Sequence, residues 1–561
     1  MVLAQRKQLP IQPTDLRQAR QRMLRTAQFT DPDRAQDAAP RSLELYLASL
    51  GHISSADMMR VMALIQRQES RVTDILTQLS MVDPTVLAQL QAARLGERYL
   101  DLEYDPPNPE HVHRWGPARC LQSGVMPWRM RNGHTVVAVS NPDLFDRYRP
   151  DLEHVFGPVR RAHVTDLDLR NCVQSVARAK LTDRAETRVA PDDSCRTLDR
   201  RRLIGAGVGL CVMAAALVAL APLAVFLVFM IWAAGSLALL TTLRAVAGFL
   251  YLRDPNPSDA PPPNAPALAR MPRISIMVPL FQERAIAGQL VQRLKRLSYP
   301  KELLDVVLVV EEDDATTQDT LAHTHLPSWI KTLIVPPGGL KTKPRALNYA
   351  LDHCRGSIIG VYDAEDAPDP YQLKRIVRRF SERGADVACL QGTLDFYNAR
   401  ANWLARCFAV EYATWFRIVL PGLQKLGLAV PLGGTTLFFR RAALDDLGGW
   451  DAHNVTEDAD LGIRLARRGY RTELVPTVTY EEANCRIWPW VRQRSRWLKG
   501  YAITWAVHMR SPQKLWADLG AWRFFGVQVL FLCTLSGFVL APVLWTFWLP
   551  AFGLPHPLMA V

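Results

Sequence analysis

The spacing of apolar and polar positions predicts a small α/β domain over residues 41–182. Its first half contains two copies of a helix–turn–helix pattern, in which the second helix of each copy begins at Ser54 or Asp83, residue types that often cap helices. A strand that ends in a turn is predicted at Gly133 to Pro142. Residues 1–40 are polar, basic and interrupted by proline, so we expect them to form a mobile basic arm.

Two long apolar runs predict membrane-spanning helices. Residues 203–252 are nearly free of charge and exceed the roughly 20 residues of one span, and Pro222 divides them into two candidate helices. A third candidate span covers residues 524–549. The polar residues 183–202 predict a linker before the first run, and the proline-rich residues 253–273 predict a semi-rigid tether after it.

The charges that flank the first apolar run predict its orientation. Arginines within residues 200–202 and 244–253 place both ends of the helix pair in the cytosol, because basic residues favour that side of a membrane. The domains before and after the pair would then both face the cytosol. We therefore expect a multi-pass protein of a bacterial inner membrane. The alternative is a buried helical hairpin in a soluble protein.

Residues 274–510 alternate between strand-like and helix-like patterns and predict a further α/β domain. Apolar runs typical of buried strands cover Ile274 to Pro279, Val306 to Val310 and Ser357 to Tyr362, and acidic residues follow the second and third runs directly. Acids at the ends of neighbouring strands can meet at one edge of a sheet. This arrangement is typical of a site for a metal and a nucleotide.

A later helix is predicted to begin at Thr456, with Glu457 and Asp458 in its first turn. Carboxylates are stabilised at a helix N-terminus, so a purely structural role is one interpretation. A role as general base is the other interpretation, because the acid-terminated strands precede this helix and the pattern Gln493 to Trp497 follows it.

The charge and the cysteine content argue against nucleic-acid binding, a zinc site and a disulfide framework. The formal net charge is +13, with 67 Lys plus Arg, but the basic residues are spread among apolar segments without a nucleic-acid-binding motif. A membrane surface and a diphosphate-bearing substrate explain this charge better than nucleic acid does. The nine cysteines form no CxxC pair, which indicates reduced residues rather than a zinc site or a disulfide framework.

Four motifs in order resemble those of processive family 2 glycosyltransferases, the group of bacterial cellulose and hyaluronan synthases. They are PLFQE at 279–283, DAED at 363–366, TED at 456–458 and QxxRW at 493–497. The resemblance covers roughly residues 273–501. It implies a GT-A (Rossmann-like) fold, a UDP-sugar donor, a divalent cation and transfer with inversion.

The resemblance also implies roles for individual residues. The donor would be contacted by acids at strand ends, by a lysine from a Lys-rich loop before a helix and by the arginine of QxxRW. Four acids at 311–314 leave the register of one acid pair ambiguous by one or two residues, and we favour Glu312 and Asp314. The implied donor-binding residues are Glu283, Glu312, Asp314, Lys343, Asp363 and Arg496.

The same resemblance implies a metal ion, a base and an acceptor site. Asp363 would bind Mg²⁺ or Mn²⁺, and Glu365 and Asp366 compete for the second ligand position, since hard oxygen ligands suit both ions. Asp458 would be the general base, with Glu457 as its neighbour. Gln493 and Trp497 would bind the acceptor, the Trp by stacking on a sugar. An amphipathic helix at the membrane interface is the structural alternative for this stretch.

The region 41–182 resembles the N-terminal domain of type II secretion ATPases, which in some relatives binds cyclic di-GMP. The ligand-binding form carries Arg-Leu-Gly at the head of each repeat. Here the heads read Ser42-Leu43-Glu44 and Arg71-Val72-Thr73, so both glycines are lost. Because glycine allows close approach of a flat ligand to the backbone, we expect no cyclic di-GMP binding and favour a docking domain for a partner protein.

The sequence therefore predicts a membrane-bound, metal-dependent glycosyltransferase that extends a β-linked exopolysaccharide from a UDP-sugar and passes the product across the membrane. The alternatives are a single-transfer glycosyltransferase on a lipid-linked acceptor and a non-catalytic membrane scaffold or receptor component. The intact Asp363, Asp458 and QxxRW pattern argue against the scaffold.

Overall fold

The computed structural model describes residues 42–68, 70–253, 270–284 and 286–556. The predicted basic arm and nearly all of the predicted proline-rich tether lie outside these residues. The described residues divide into two compact units: those within Met1–Gln66 and Ser70–Ala177 form one, and those within Arg67–Glu69 and Arg178–Val561 form the other.

The first unit begins with the two predicted helical pairs and continues as an α/β domain. In the second pair, Asp83 caps its helix by accepting hydrogen bonds from the Thr85 and Val86 N–H groups. The helices are α1 (Leu43–Ser49), α2 (Ser55–Arg67), α3 (Val72–Gln78), α4 (Pro84–Arg94), α5 (Pro109–Trp115), α6 (Pro117–Ser123), α7 (Pro142–Phe156) and α8 (Asp166–Val176).

A four-stranded sheet completes this unit. Its strands are β1 (Arg98–Tyr99), β2 (Val125–Arg131), β3 (His134–Val139) and β4 (Val159–His163), in the order β1-β4-β3-β2. The predicted strand near Gly133 is therefore present as β3. It lies between an antiparallel neighbour, β2, and a parallel neighbour, β4.

The second unit opens with a helix where the sequence analysis placed the start of a linker. Helix α9 covers Arg178–Thr187, and two 3₁₀ turns follow at Pro191–Asp193 and Cys195–Thr197. Only Leu181 and Ala185 of α9 are buried, so apolar periodicity gives little sign of it. The segment is held to the rest of its unit by charged and polar contacts instead.

The first apolar run forms two helices that divide where the sequence predicted. They are α10 (Arg200–Leu220) and α11 (Pro222–Arg253). Within the described residues, two helical segments have the length and apolar composition to cross a membrane, namely α11 and Pro512–Val539, whereas the apolar part of α10 is shorter. The second segment starts before and ends before the predicted span at 524–549. The multi-pass arrangement therefore stays a prediction.

An eight-stranded mixed sheet forms the centre of the second unit. Its order is β7-β6-β5-β8-β11-β10-β12-β9, and β11 runs antiparallel between β8 and β10. All eight residues of β6 are buried, as the continuous apolar run predicts for a central parallel strand. The strands are β5 (Ile274–Leu280), β6 (Leu304–Glu311), β7 (Ile330–Val335), β8 (Ile358–Val361), β9 (Ala367–Pro368), β10 (Val387–Phe396), β11 (Leu437–Arg440) and β12 (Arg471–Glu481).

Helices cover this sheet and lead into the second apolar region. The long helix after β12 carries the QxxRW pattern. The helices are α12 (Ile286–Lys295), α13 (Ala315–Ala322), α14 (Lys343–His353), α15 (Gln372–Ser381), α16 (Trp403–Thr414), α17 (Leu420–Lys425), α18 (Arg441–Asp446), α19 (Glu457–Arg467), α20 (Ile487–His508), α21 (Pro512–Val527), α22 (Thr534–Val539) and α23 (Ala541–Trp545). Two π-helical stretches, Trp415–Val419 and Gln528–Cys533, and a final 3₁₀ helix, Thr546–Phe552, complete the unit.

Candidate active site

The carboxyl ends of three parallel strands bring the predicted acids to one edge of the sheet. Strand β5 lies between β6 and β8 and is parallel to both. The loops after these strands carry Glu283, the acids at 311–314 and the acids at 363–366, respectively. The crevice at such an edge is the usual ligand position in open α/β sheets.

Lys343 connects two parts of the site. Its Nζ atom lies 2.6 Å from Asp363 Oδ1 and donates a 2.8 Å hydrogen bond to the Gly434 carbonyl. Burial alone would lower the pKa of this amine, but Asp363, Asp458 and Glu457 outweigh it and raise the pKa. A charged lysine therefore lies among the carboxylates of α19 and of the loop after β8.

Asp366 faces the interior of the site. Its Oδ2 atom accepts a 2.9 Å hydrogen bond from the Asp363 N–H and a short one from the Thr435 hydroxyl, whereas Oδ1 is buried without a hydrogen-bond partner among the described residues. Glu365, its neighbour, is held through its backbone carbonyl by Arg293 at 2.5 Å. Both acids after the firm metal-ligand candidate, Asp363, thus lie in the site.

Glu457 and Asp458 occupy the first turn of α19, as predicted. Thr456 is at the N-cap position but makes no side-chain capping hydrogen bond. Glu457 is buried and Asp458 is partly exposed. A β-carbon built on Gly434 would lie 3.4 Å from Asp458 Oδ2, so the candidate base lies close to the backbone that accepts from Lys343.

Glu481, at the end of β12, joins the acid cluster and was missed by the sequence analysis. Strand β12 pairs antiparallel with β9, with Tyr480 opposite Ala367, which brings Glu481 next to Asp366. The Oε1 atom of Glu481 is buried and has no hydrogen-bond partner among the described residues. The residue lies outside all four motifs, and only the strand pairing reveals its position.

The crowding of these acids changes their protonation. Burial, together with the neighbouring carboxylates, raises the pKa of Glu365, Asp366, Glu457, Asp458 and Glu481. One lysine offsets only part of this negative charge. A bound cation would stabilise the ionised carboxylates, and the unpartnered oxygens of Asp366 and Glu481 fit such a role.

The residues present fit a divalent ion whose coordination is completed by its substrate. No three His, Cys, Asp or Glu side chains among the described residues form a ready-made metal cage. Mg²⁺ in nucleotide sites usually has one or two carboxylate ligands, with water and phosphate oxygens completing the shell. Asp363 with Glu365 or Asp366 would supply that share.

The two acids favoured after β6 have different environments. Asp314 caps α13 and accepts 2.6 Å hydrogen bonds from the Gln282 N–H and the Thr317 hydroxyl. Burial opposes ionisation, but these hydrogen bonds lower the pKa of Asp314. Glu312 is largely exposed and forms an ion pair with Arg178. Asp314 thus shapes the loop of Glu283, whose pKa is raised by burial and by Asp314; their contact with a donor stays a prediction.

The QxxRW residues lie on one helix, α20, as predicted. Trp497 packs against Phe408 and Tyr412, with ring centroids 6.2 and 6.4 Å away, so part of its ring is already covered. The Gln493 Oε1 atom accepts a 2.9 Å hydrogen bond from Asn484. Arg496 is exposed, and its positive charge favours ionisation of Glu457.

Gly500, one turn beyond Trp497, determines how closely α20 approaches the start of α19. A β-carbon at this position would lie 2.2 Å from Thr456 Cγ2 and 2.5 Å from its Oγ1. Thr504 continues the contact with a 2.9 Å hydrogen bond from Asn454. The sequence analysis did not assign this glycine, although its position three residues after the QxxRW motif is a signal that could have identified it.

Comparison with known proteins matches one family to part of each unit. Residues 272–500 match the family described as Glycosyltransferase like family 2, and residues 95–182 match the MshEN domain. The chain therefore contains a family 2 glycosyltransferase domain, whose mixed sheet is of the GT-A type, and an MshEN domain before it. Both resemblances found in the sequence are confirmed at this level.

Individual relatives cover the glycosyltransferase domain. A probable glycosyltransferase, YdaM, of Bacillus subtilis is 29% identical over 42% of this chain and 56% of its own length. A beta-monoglucosyldiacylglycerol synthase of Synechocystis is 31% identical over 45% of this chain and 53% of its own. Glucomannan 4-beta-mannosyltransferase 7 of Arabidopsis thaliana is 24% identical over 42% of this chain and 43% of its own length.

The chain spans about half the length of the curated relatives it matches. Among solved structures, the mannosyltransferase PcManGT of Pyrobaculum calidifontis, in complex with GDP-Man and Mn²⁺, is 21% identical with a TM-score of 0.37, over 56% of this chain and 99% of that one.

Proposed function

We propose that the chain is a membrane-bound, metal-dependent inverting glycosyltransferase that uses a nucleoside-diphosphate sugar, with UDP as the expected nucleotide. The observation that carries the proposal is the position of Lys343, paired with Asp363 at the end of β8 and adjacent through Gly434 to Asp458 at the start of α19. One cation thereby joins the predicted metal ligand and the predicted base. Such a centre suits a diphosphate that leaves while a hydroxyl attacks.

The proposed reaction assigns each side chain a task. Asp458 accepts the proton of an acceptor hydroxyl as that oxygen forms a bond to the anomeric carbon and the bond to the diphosphate breaks. Lys343 and the exposed Arg496 offset charge on the departing diphosphate. A divalent ion, when bound by Asp363 with Glu365 or Asp366, would stabilise the same leaving group.

The pKa shift at Asp458 has a consequence for this task. Burial and Glu457 raise the pKa of the Asp458 carboxyl. A carboxylate with a raised pKa is a stronger base than an ordinary one. The crowding that disfavours its ionisation therefore also favours proton transfer to it.

The acceptor defines two candidate functions. The four motifs favour a growing β-linked exopolysaccharide, extended processively and moved through the membrane. The relative from Synechocystis is named a beta-monoglucosyldiacylglycerol synthase, and this name favours a single transfer to a lipid acceptor as the second candidate. The two apolar segments long enough to span a membrane support a membrane location for either candidate.

The decisive experiment supplies membranes that contain the full chain with a panel of labelled nucleotide sugars and measures the size and solubility of the product. A long polymer that organic solvent does not extract supports processive synthesis, and a lipid-extractable product of one added sugar supports the second candidate. The variant Asp458→Asn keeps size and most hydrogen bonding and should lower transfer by about 10²- to 10⁴-fold. Full activity of that variant would refute the assigned base.

A further inference from the structure

The segment that begins at the end of the MshEN match and leads to the first apolar helix packs within the second unit. We name residues 178–199, comprising α9 and the two 3₁₀ turns, the strap. Arg188 is buried and lies 2.7 Å from both Asp352 and Asp445. Further along, the Ser194 hydroxyl donates to Asp451 at 2.8 Å. Breaking buried charge pairs of this kind is strongly unfavourable, so the strap has a defined position.

Glu186 of the strap binds the loop that leads to Lys343. Its Oε1 atom accepts hydrogen bonds from the Arg345 Nε–H at 3.1 Å and from the Leu340 N–H at 3.3 Å. A β-carbon at Gly338 would lie 2.3 Å from the same oxygen, so the loop backbone passes directly over the carboxylate. The loop therefore takes its shape around Glu186.

Arg345 extends this contact to the end of β6. Its guanidinium is fully buried, pairs with Glu311 at 3.1 Å and donates to the Pro336 carbonyl. The next acid, Glu312, is paired with Arg178 at the other end of α9. Two residues of the strap thus contact both sides of the candidate donor site, the loop before α14 and the acids after β6.

We propose that Glu186 is a positioning residue for donor binding. Its carboxylate holds Arg345 and the loop at 338–340, and thereby sets where Lys343 meets the diphosphate of the nucleotide sugar. This inference rests on the proposed function. It predicts that loss of the Glu186 charge weakens donor binding while the proton transfer at Asp458 and the acceptor contacts of α20 persist.

The test compares Glu186→Gln with Asp183→Asn in the full chain. Asp183 lies on the same helix with an exposed side chain, so its variant removes the same charge without touching the loop. The KM for the nucleotide sugar should rise about tenfold or more in Glu186→Gln, because the acceptor of the hydrogen bonds from Arg345 and Leu340 loses its negative charge. The kcat at saturating donor and the KM for the acceptor should stay near those of the wild type.

Further variants and thermal unfolding make each outcome decisive. Glu186→Asp, which keeps the charge, should recover part of the donor affinity. Arg178→Gln removes a largely exposed partner and cannot threaten folding, and it should raise the donor KM by up to about fivefold. If Glu186→Gln does not fold by thermal unfolding, Gly338→Ala decides the question, because its β-carbon would lie 2.3 Å from Glu186 Oε1 and would displace the loop from that carboxylate.

An unchanged donor KM in Glu186→Gln, or in Gly338→Ala if the first variant is unfolded, would overturn the positioning role. A fall in kcat at unchanged donor KM would overturn it as well. If the wild type and Asp183→Asn transfer no sugar from any donor of the panel, the proposed function itself fails.

Discussion

The close approach of α20 to the start of α19 predicts a large effect of a single methyl group. In Gly500→Ala, the new β-carbon would lie 2.2 Å from Thr456 Cγ2. Ordinary carbon contacts are about 3.5–4.0 Å, so the two helices must separate by roughly 1.5 Å or distort. Overpacking of this kind costs about 1–3 kcal/mol of folding free energy.

We expect Gly500→Ala to affect the rate of sugar transfer more strongly than the stability of the fold. Helix α20 carries Trp497 and Arg496, and α19 carries Asp458, so separation of the helices moves the acceptor-binding residues away from the base. A misplacement of about 1 Å in an active site can lower the rate about 10²-fold. We expect the rate of sugar transfer by Gly500→Ala to fall by about that factor while most of the protein remains folded.

A second glycine provides the matched control. Gly288, in α12, has open space around its β-carbon position, and Gly288→Ala should keep full activity and stabilise the helix by about 1 kcal/mol. The assay is transfer of labelled sugar by membranes containing each variant, together with thermal unfolding. Thr456→Gly removes all three clashing atoms. The addition of Gly500→Ala should therefore lower the activity of the Thr456→Gly variant less than it lowers the activity of the wild type. Wild-type activity in Gly500→Ala would refute the reasoning.

Three further predictions follow from single sites. Asp363→Ala should abolish transfer in a folded protein, and activity of this variant in the presence of a chelator would contradict the metal assignment. Asp305 is buried, and burial alone would raise the pKa of its carboxyl, but Lys331 and Arg355 outweigh burial and lower this pKa. The ionised carboxylate therefore stabilises the folded protein above an unfolded-state pKa of about 3.9, and this stabilisation is lost as the pH falls below that value. Asp305→Asn should therefore lower the midpoint of thermal unfolding at pH 7 and reduce its acid sensitivity. The full chain should show no micromolar calorimetric binding of cyclic di-GMP; saturable binding that is lost on changing Arg71 would contradict this.

Much of the glycosyltransferase domain could be predicted because its strands are short apolar runs and several of its motifs follow directly after a strand. The acids after β8 and at the start of α19 are near one another in the structure, joined by Lys343. Glu481 could not be predicted, because its position depends on the pairing of β12 with β9 across more than a hundred residues. Sequence spacing contains no direct information about that register.

The strap and the second apolar segment differ from their predicted forms for separate reasons. The strap has few buried apolar residues and is stabilised by ion pairs, so a composition-based reading gives a linker. The last span was predicted from hydropathy alone at 524–549. In the structure the helix already begins at Pro512 and crosses Gly520, whose φ of 73° marks a kink that apolar composition does not reveal.

The strap also has a consequence for the time course of biosynthesis. Ser194 leaves the ribosome long before its partner Asp451, which lies 257 positions later. At about 5–20 residues per second, the interval is on the order of 10 to 50 s. During that time the docking surface of the segment is incomplete, and its polar composition keeps it soluble while the apolar helices after it are made. Leu340 and Arg345, the partners of Glu186, follow it by 154 and 159 positions, so nascent chains should acquire their nucleotide-sugar affinity only after a large part of the glycosyltransferase domain has been made.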